Sequence, residues 1–175
     1  MEQKKLTRLF SEKQIKERVA ALADQIDHDY PAGEILLVGI LKGAFIFLAD
    51  LIRNLSVTAA VDFVQLSSYG MSTTTSGRIH ILKDIGTSIQ GRDVIIVEDI
   101  VDTGLTVRFL KRALARRLPH SVKVCALLDK KFRREVVLEA DYVGFTIDQD
   151  YFIVGYGLDC AEHYRQLPEI CHLET

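Results

Sequence analysis

Short apolar runs alternate with amphipathic stretches along most of the chain. Continuous apolar runs at residues 35–40 and 94–97 are typical of strands that are covered on both faces. Further apolar or alternating runs, bounded by turn-forming residues, predict strands at 61–66, 79–82, 122–128, 142–146 and 152–154. Because helical patterns separate many of these strands, we expect an α/β fold with a central, mainly parallel sheet flanked by helices.

Three stretches have the pattern of helices. Ser11 and Gln14 have the spacing of a capping box, and apolar residues recur every three or four positions after them, which predicts a helix to about Asp27. Residues 44–55 and 107–116 predict two more helices. Residues 67–77 are instead polar and rich in serine and threonine, and they predict a long surface loop of the kind that often acts as a lid.

Length and composition favour one intracellular domain over residues 1–175. With 175 residues, of which 48% are hydrophobic, the chain can bury a single core. Three cysteines without CxxC spacing suggest neither a disulfide framework nor a zinc site, which fits the reducing cytoplasm. The polar residues 11–18 argue against a secretion signal, and Lys42 and Asp50 interrupt the most apolar stretch, so we expect no membrane span.

The net charge of -2 and the pI near 6.2 give no overall basic field. Non-specific binding to nucleic acid or to an anionic membrane needs such a field. We therefore expect no nucleic-acid partner and no membrane partner, and any phosphate group must be bound by local geometry.

Residues 94–106 contain the chain's most informative chemistry. An apolar strand is followed by Glu98 and Asp99, then by Asp102, and then by a hydroxyl-rich turn before a helix. Ligands of open α/β sheets bind at the carboxyl ends of strands, and the amides at a helix start favour a phosphate. Carboxylates repel phosphate, so here they suit sugar hydroxyls or Mg²⁺, and the run predicts a phosphorylated sugar. The plainer alternative is that these carboxylates only end a strand and cap a helix.

The run VEDIVDTGLT at residues 97–106 resembles the phosphoribosyl-pyrophosphate motif of the type I phosphoribosyltransferases. Among these, it is closest to the short bacterial hypoxanthine-guanine phosphoribosyltransferases. Residues 41–43 resemble the family's pyrophosphate loop, and residues 67–70 resemble the opening of its mobile lid, placed at about 67–78. Later family positions follow in order to Arg165, so the resemblance covers nearly the whole chain. It implies the phosphoribosyltransferase fold, with a small hood built from the N- and C-terminal parts.

The resemblance also implies roles for the residues around the sugar phosphate. Asp102 is the expected general base, which assists removal of a proton from the purine imidazole ring. Ser68 and Tyr69 belong to the lid, which excludes water from the reacting centre. The remaining roles are binding of the ribose hydroxyls by Glu98 and Asp99, of the 5'-phosphate by Asp102, Thr103, Gly104, Leu105 and Thr106, of pyrophosphate by Leu41, Lys42, Gly43 and Arg165, and of Mg²⁺ by Glu98, Asp99 and Asp159, partly through water.

Lys130, Phe152 and Ile153 are the residues expected to bind the purine. The ammonium of Lys130 can donate a hydrogen bond to a 6-oxo group. The 6-amino group of adenine is itself a donor, so adenine would be disfavoured. Phe152 is expected to stack on the base, and the backbone of Ile153 to contact its edge. Each residue type also has a plainer explanation. Lys130 belongs to a cluster of basic residues, and such clusters usually lie on a solvated surface. Phe152 lies in an apolar run, where an aromatic residue usually packs in the core. A lysine such as Lys42 can also extend from a strand end to water.

The reaction implied is Mg²⁺-dependent transfer of a phosphoribosyl group to hypoxanthine or guanine, with IMP or GMP and pyrophosphate as products. The family commonly forms homodimers or homotetramers. A nucleotide-responsive RNA-binding regulator of the same fold stays an alternative, because Lys111, Arg112, Arg116 and Arg117 can form a local basic patch. A phosphatase with an aspartate nucleophile at Asp148 or Asp150 is disfavoured, since few residues follow to supply its other motifs, and we expect a turn there.

Overall fold

The computed structural model describes residues 5–31, 33–69 and 78–174, which form two sheets, three α-helices and a short 3-10 helix at Lys131–Arg133. The helices are α1 (Glu12–Asp29), α2 (Phe45–Asn54) and α3 (Leu105–Ala115). The strands are β1 (Leu6–Phe10), β2 (Glu34–Leu41), β3 (Thr58–Tyr69), β4 (Arg78–Lys83), β5 (Asp93–Val101), β6 (Ser121–Asp129), β7 (Tyr142–Thr146), β8 (Ile153–Val154) and β9 (Ile170–Leu173). Within these residues, no helix has both the length and the apolar character needed to cross a membrane.

The larger sheet has six strands in the order β4-β3-β2-β5-β6-β7. Its strands are parallel except β4, which pairs antiparallel with β3. Alternate residues of β2 and β5 face two separate apolar clusters: Ile35 and Ile95 lie in the cluster beneath α1 and α2, and Leu36 and Val94 lie in the cluster beneath α3. Both faces are therefore buried, which explains the continuous apolar runs and confirms the mainly parallel sheet flanked by helices.

The first helix begins as predicted. The Ser11 hydroxyl accepts from the Gln14 backbone N–H at 3.3 Å, and the Gln14 side chain accepts from the Ser11 N–H at 2.9 Å, so the capping box is complete. The helix buries Ile15, Val19 and Leu22 and continues to Asp29, slightly beyond the predicted end at Asp27.

The smaller sheet joins the two ends of the chain. Its order is β1-β9-β8, all antiparallel, with Leu6 opposite Leu173 and Ile153 opposite His172. This sheet is the hood that the resemblance implied. The apolar pattern alone did not predict β1 or β9, because each is short and β1 is largely exposed, so neither has a clear periodic signal.

Three predicted boundaries were wrong. Strand β5 continues past Val97 to Val101, because its backbone keeps pairing with β6 although the side chains become acidic. Helix α3 begins at Leu105 and not at residue 107. Residues 67–69, predicted to open the loop, end β3 and pair with β4, since ladder hydrogen bonds do not require apolar side chains. Residues 70–77 lie outside the described residues, so the lid stays a prediction, as does the single domain over 1–175.

Candidate active site

Buried charges gather where β5 and β6 end. Among the described residues, Glu98, Asp129 and Lys130 are the charged or polar residues classed as buried. Glu98 lies near the carboxyl end of β5, and Asp129 and Lys130 lie at the end of β6. A buried charge is costly unless it has a partner, so three at one edge of the sheet indicate a site built for polar ligands.

The turn from β5 into α3 has a conformation that suits a bound anion. Gly104 has φ +82°, a left-handed conformation that suits glycine, and a Cβ there would lie 2.8 Å from Cδ of Arg134. Helix α3 starts directly afterwards, so its unpaired first-turn N–H groups and its dipole favour a phosphate. A cavity of about 70 Å³ lies at this turn, lined by Glu98, Ile100, Val101, Asp102, Thr103, Gly104, Thr106 and Val107.

The two adjacent carboxylates of β5 have different surroundings. Glu98 lines the cavity, and burial, reinforced by the charge of Asp99, raises its pKa well above the usual range. Asp99 contacts the loop after β2 instead, where a Cβ on Gly43 would lie 1.6 Å from its Oδ2. Burial raises the pKa of Asp99 to about 6. Both carboxylates would be stabilised as anions by a cation or by hydroxyl donors.

The predicted pyrophosphate residues lie close to one another. The Leu41–Lys42 peptide bond is cis, and Lys42 Nζ lies 2.9 Å from Oε1 of Glu162. Arg165 lies 2.8 Å from Asp159 Oδ1 and 3.2 Å from Glu162 Oε2, and it donates to the Gly157 carbonyl oxygen at 2.6 Å. The structure thus brings Lys42, Arg165 and Asp159 together around Glu162, a residue that the sequence analysis missed.

The predicted purine residues lie directly after β6 and at the start of β8. Lys130 is buried, unlike the exposed Lys131, and its Nζ donates to the Tyr151 carbonyl oxygen at 2.6 Å. Phe152 is 47% exposed, so it does not belong to the core, whereas Ile153 next to it is buried. The plainer explanations given for Lys130 and Phe152 therefore do not describe where these residues lie.

Asp102 lies in the turn between β5 and α3. Its Oδ1 is buried without a hydrogen-bond partner among the described residues, although Arg133 Nε lies 3.0 Å away outside hydrogen-bonding geometry. The guanidinium of Arg134 donates to the Asp102 carbonyl oxygen at 2.8 Å and pairs with the buried Asp129. Sequence analysis did not assign Arg134 and Asp129 a role, and no motif signals that their ion pair supports the β5–α3 turn.

Residues 6–161 match the sequence family described as Phosphoribosyl transferase domain. The chain belongs to the phosphoribosyltransferase family. It is 48% identical over 172 residues to the hypoxanthine-guanine phosphoribosyltransferase of Aquifex aeolicus (strain VF5), covering 98% of this chain and 96% of that protein. It is 45% identical to the enzyme of that name from Bacillus subtilis (strain 168), covering 93% of this chain and 89% of that protein.

A solved structure of similar sequence also has the same fold. The crystal structure of a hypoxanthine-guanine phosphoribosyltransferase from Bacillus anthracis matches this phosphoribosyltransferase with a TM-score of 0.92 and 49% identity. The match covers 98% of this chain and 99% of that one. The predicted type I phosphoribosyltransferase fold is therefore confirmed.

Glu98 and Asp99 of this phosphoribosyltransferase would suit magnesium as carboxylate ligands. The described residues contain no group of three or more potential metal ligands. Magnesium commonly binds through one or two carboxylates, with waters and substrate phosphates completing its shell. Glu98 and Asp99 offer such carboxylates, and Asp159 is close enough for its charge to raise the pKa of Asp99.

Proposed function

We propose that this phosphoribosyltransferase is a purine salvage enzyme that converts hypoxanthine or guanine, with phosphoribosyl pyrophosphate, to IMP or GMP and pyrophosphate. Three observations carry the proposal: the cavity at the β5–α3 turn, the cations Lys42 and Arg165 around Glu162, and the buried Lys130, which donates to the carbonyl oxygen of Tyr151 next to the exposed Phe152. The names of the relatives support the same substrates.

The sugar phosphate binds across the ends of β2 and β5. The first turn of α3, with Thr103 and Thr106, accepts the 5'-phosphate, and Glu98 and Asp99 accept hydrogen bonds from the ribose hydroxyls. Lys42 and Arg165 pair with the pyrophosphate group. Magnesium, when bound with the substrate near Glu98, Asp99 and Asp159, neutralises charge on the leaving group.

The purine lies on the other side of C1'. Phe152 stacks on the ring. The Nζ of Lys130 breaks its hydrogen bond with the Tyr151 carbonyl oxygen and donates instead to the 6-oxo oxygen of the purine. Adenine would leave the buried ammonium of Lys130 opposed to a donor, which selects against it. As N9 forms its bond to C1' and pyrophosphate leaves with its bonding electrons, Asp102 accepts the proton from N7. Its Oδ1 accepts no hydrogen bond from the described residues, although Arg133 Nε lies 3.0 Å away.

The remaining features follow from the family. Ser68 and Tyr69 begin a lid that excludes water from the ribosyl transition state. The enzyme acts in the cytoplasm as a homodimer or homotetramer, and the free state of Cys125, Cys160 and Cys171 supports a reducing compartment. Sedimentation of the purified protein measures the assembly.

The proposed function is tested with a spectrophotometric assay. The protein is mixed with Mg²⁺, phosphoribosyl pyrophosphate and, separately, hypoxanthine, guanine, xanthine or adenine. We expect turnover of hypoxanthine or guanine, loss of that turnover when EDTA removes the metal, and no turnover of adenine. Turnover of adenine alone would contradict the role of Lys130. Salt-sensitive, sequence-selective RNA binding without purine turnover would instead support the RNA-binding regulator.

A further inference from the structure

A carboxylate of the protein itself lies between the two cations assigned to pyrophosphate. Oε1 of Glu162 is 2.9 Å from Nζ of Lys42, and its Oε2 is 3.2 Å from a guanidinium nitrogen of Arg165. Each carboxylate oxygen therefore pairs with a different cation. This is the arrangement that two oxygens of a bound pyrophosphate would adopt between the same side chains.

The backbone holds Glu162 in this position. Ala161 and Glu162 have φ values of +50° and +66°, which residues other than glycine rarely adopt. The Glu162 N–H also donates to Oδ2 of Asp159 at 2.8 Å. Such conformations persist where their surroundings favour them, and this turn presents the carboxylate to Lys42, which is 120 residues away in the chain.

The ion pairs that Glu162 forms with the two cations are weak enough to be displaced. The side chains of Lys42 and Glu162 are 55% and 64% exposed, and ion pairs with that exposure are weak and screened by salt. An exposed carboxylate such as that of Glu162 is an anion at neutral pH. A pyrophosphate bears several negative charges, and we expect it to displace a single exposed carboxylate from the two cations.

We propose that Glu162 is an internal competitor of pyrophosphate, which occupies Lys42 and Arg165 in the empty enzyme and weakens binding of the pyrophosphate group. The inference rests on the proposed function of Lys42 and Arg165. Because Glu162 acts through these two residues, it is a positioning residue and not a catalytic one. Its return to the cations after turnover favours release of the product pyrophosphate.

The test is Glu162→Gln, which removes the charge and nearly preserves the shape. Glu12→Gln is the matched control, because Glu12 is also exposed and pairs with a lysine, Lys16, at 2.6 Å on α1. Calorimetric titration with inorganic pyrophosphate and Mg²⁺ measures affinity. We expect Glu162→Gln to bind pyrophosphate roughly fivefold more tightly, the scale of one exposed ion pair, and Glu12→Gln to bind it like the wild type.

Kinetics give a second measurement that a merely structural role would not change. Product inhibition by pyrophosphate should strengthen in Glu162→Gln by about the same factor, whereas the KM for hypoxanthine should stay at the wild-type value. Unchanged or weaker pyrophosphate binding in folded Glu162→Gln, checked by its thermal midpoint, would overturn the inference.

Lys42→Gln separates this inference from the proposed function. If Lys42 binds pyrophosphate, the variant must bind it more weakly than the wild type. Wild-type affinity in Lys42→Gln would refute the proposed pyrophosphate site itself. Weakened binding in Lys42→Gln, together with no gain in Glu162→Gln, would refute only the role of Glu162.

Discussion

Neighbouring acidic residues in β5 differ because side chains alternate along a strand. Glu98 lines the cavity at the β5–α3 turn, while Asp99 contacts Gly43. The sequence motif predicted that both residues belong to the site. The apolar pattern ended the strand at Val97, so it did not predict that Glu98 and Asp99 alternate along β5 and have different surroundings. The same limit applies to Glu162, whose contact with Lys42 depends on a distant turn and has no sequence signal.

Asp102 is the residue whose role is most open to a direct test. Asp102→Asn keeps the size of the side chain but removes its ability to accept a proton. We expect kcat to fall by roughly 10²-fold or more, the contribution typical of a general base, with a much smaller effect on binding of phosphoribosyl pyrophosphate. Steady-state kinetics and calorimetry measure the two quantities.

Asp148→Asn provides the control for this substitution. Asp148 is an exposed residue in the loop after β7, and it is also the candidate nucleophile of the phosphatase alternative. We expect the variant to keep wild-type turnover. Unchanged turnover in Asp102→Asn would exclude Asp102 as the base, and an equal loss of turnover in Asp148→Asn would show that the effect is not specific to Asp102.

At the scale of elements, long periodic segments were predictable and short or polar ones were not. The capping box and apolar stripe of α1, and the apolar runs of β2 and β5, have signals that arise from burial on one or both faces. The end of β3, the end of β5 and the strands of the hood are set by pairing with distant backbone, which leaves no local pattern.

Contacts between loops also hold the site together. The loop after β2 packs so closely on β5 that a Cβ at Gly43 would lie 1.6 Å from Oδ2 of Asp99. The Gly43 carbonyl oxygen in turn approaches Gly157, where an added Cβ would lie 2.2 Å from it. Gly43 therefore links the loop after β2 both to β5 and to the segment before Arg165.

We predict that Gly43→Ala displaces Asp99 and the Lys42 loop from each other. A misplacement of about 1 Å can cost roughly 10²-fold in rate, so kcat/KM should fall by at least about that factor. Gly86→Ala is the matched control, since no atom lies within 4 Å of the added Cβ and its activity should stay at the wild-type level. Equal activity of the two variants would contradict the close contact at Gly43.

Over the whole molecule, the site forms where the large sheet meets the hood and its flanking loops. Glu98 and Asp99 lie in β5, and Lys42 and the β5–α3 turn directly follow strands of the large sheet. Phe152 precedes β8 of the hood, and Asp159 and Arg165 lie between β8 and β9. The family motifs identified both groups of residues from the sequence. How the groups meet, through Lys42, Glu162 and Arg165, required the folded chain.

The central claim is that the β5–α3 turn binds the phosphate of a sugar whose hydroxyls are bound by the adjacent carboxylates. A crystal structure of the full chain with Mg²⁺ and phosphoribosyl pyrophosphate, without purine, tests it most directly. We expect the 5'-phosphate against the first turn of α3, the ribose hydroxyls at Glu98 and Asp99, and the pyrophosphate between Lys42 and Arg165. A ligand bound elsewhere, with the cavity at the β5–α3 turn empty, would contradict the claim.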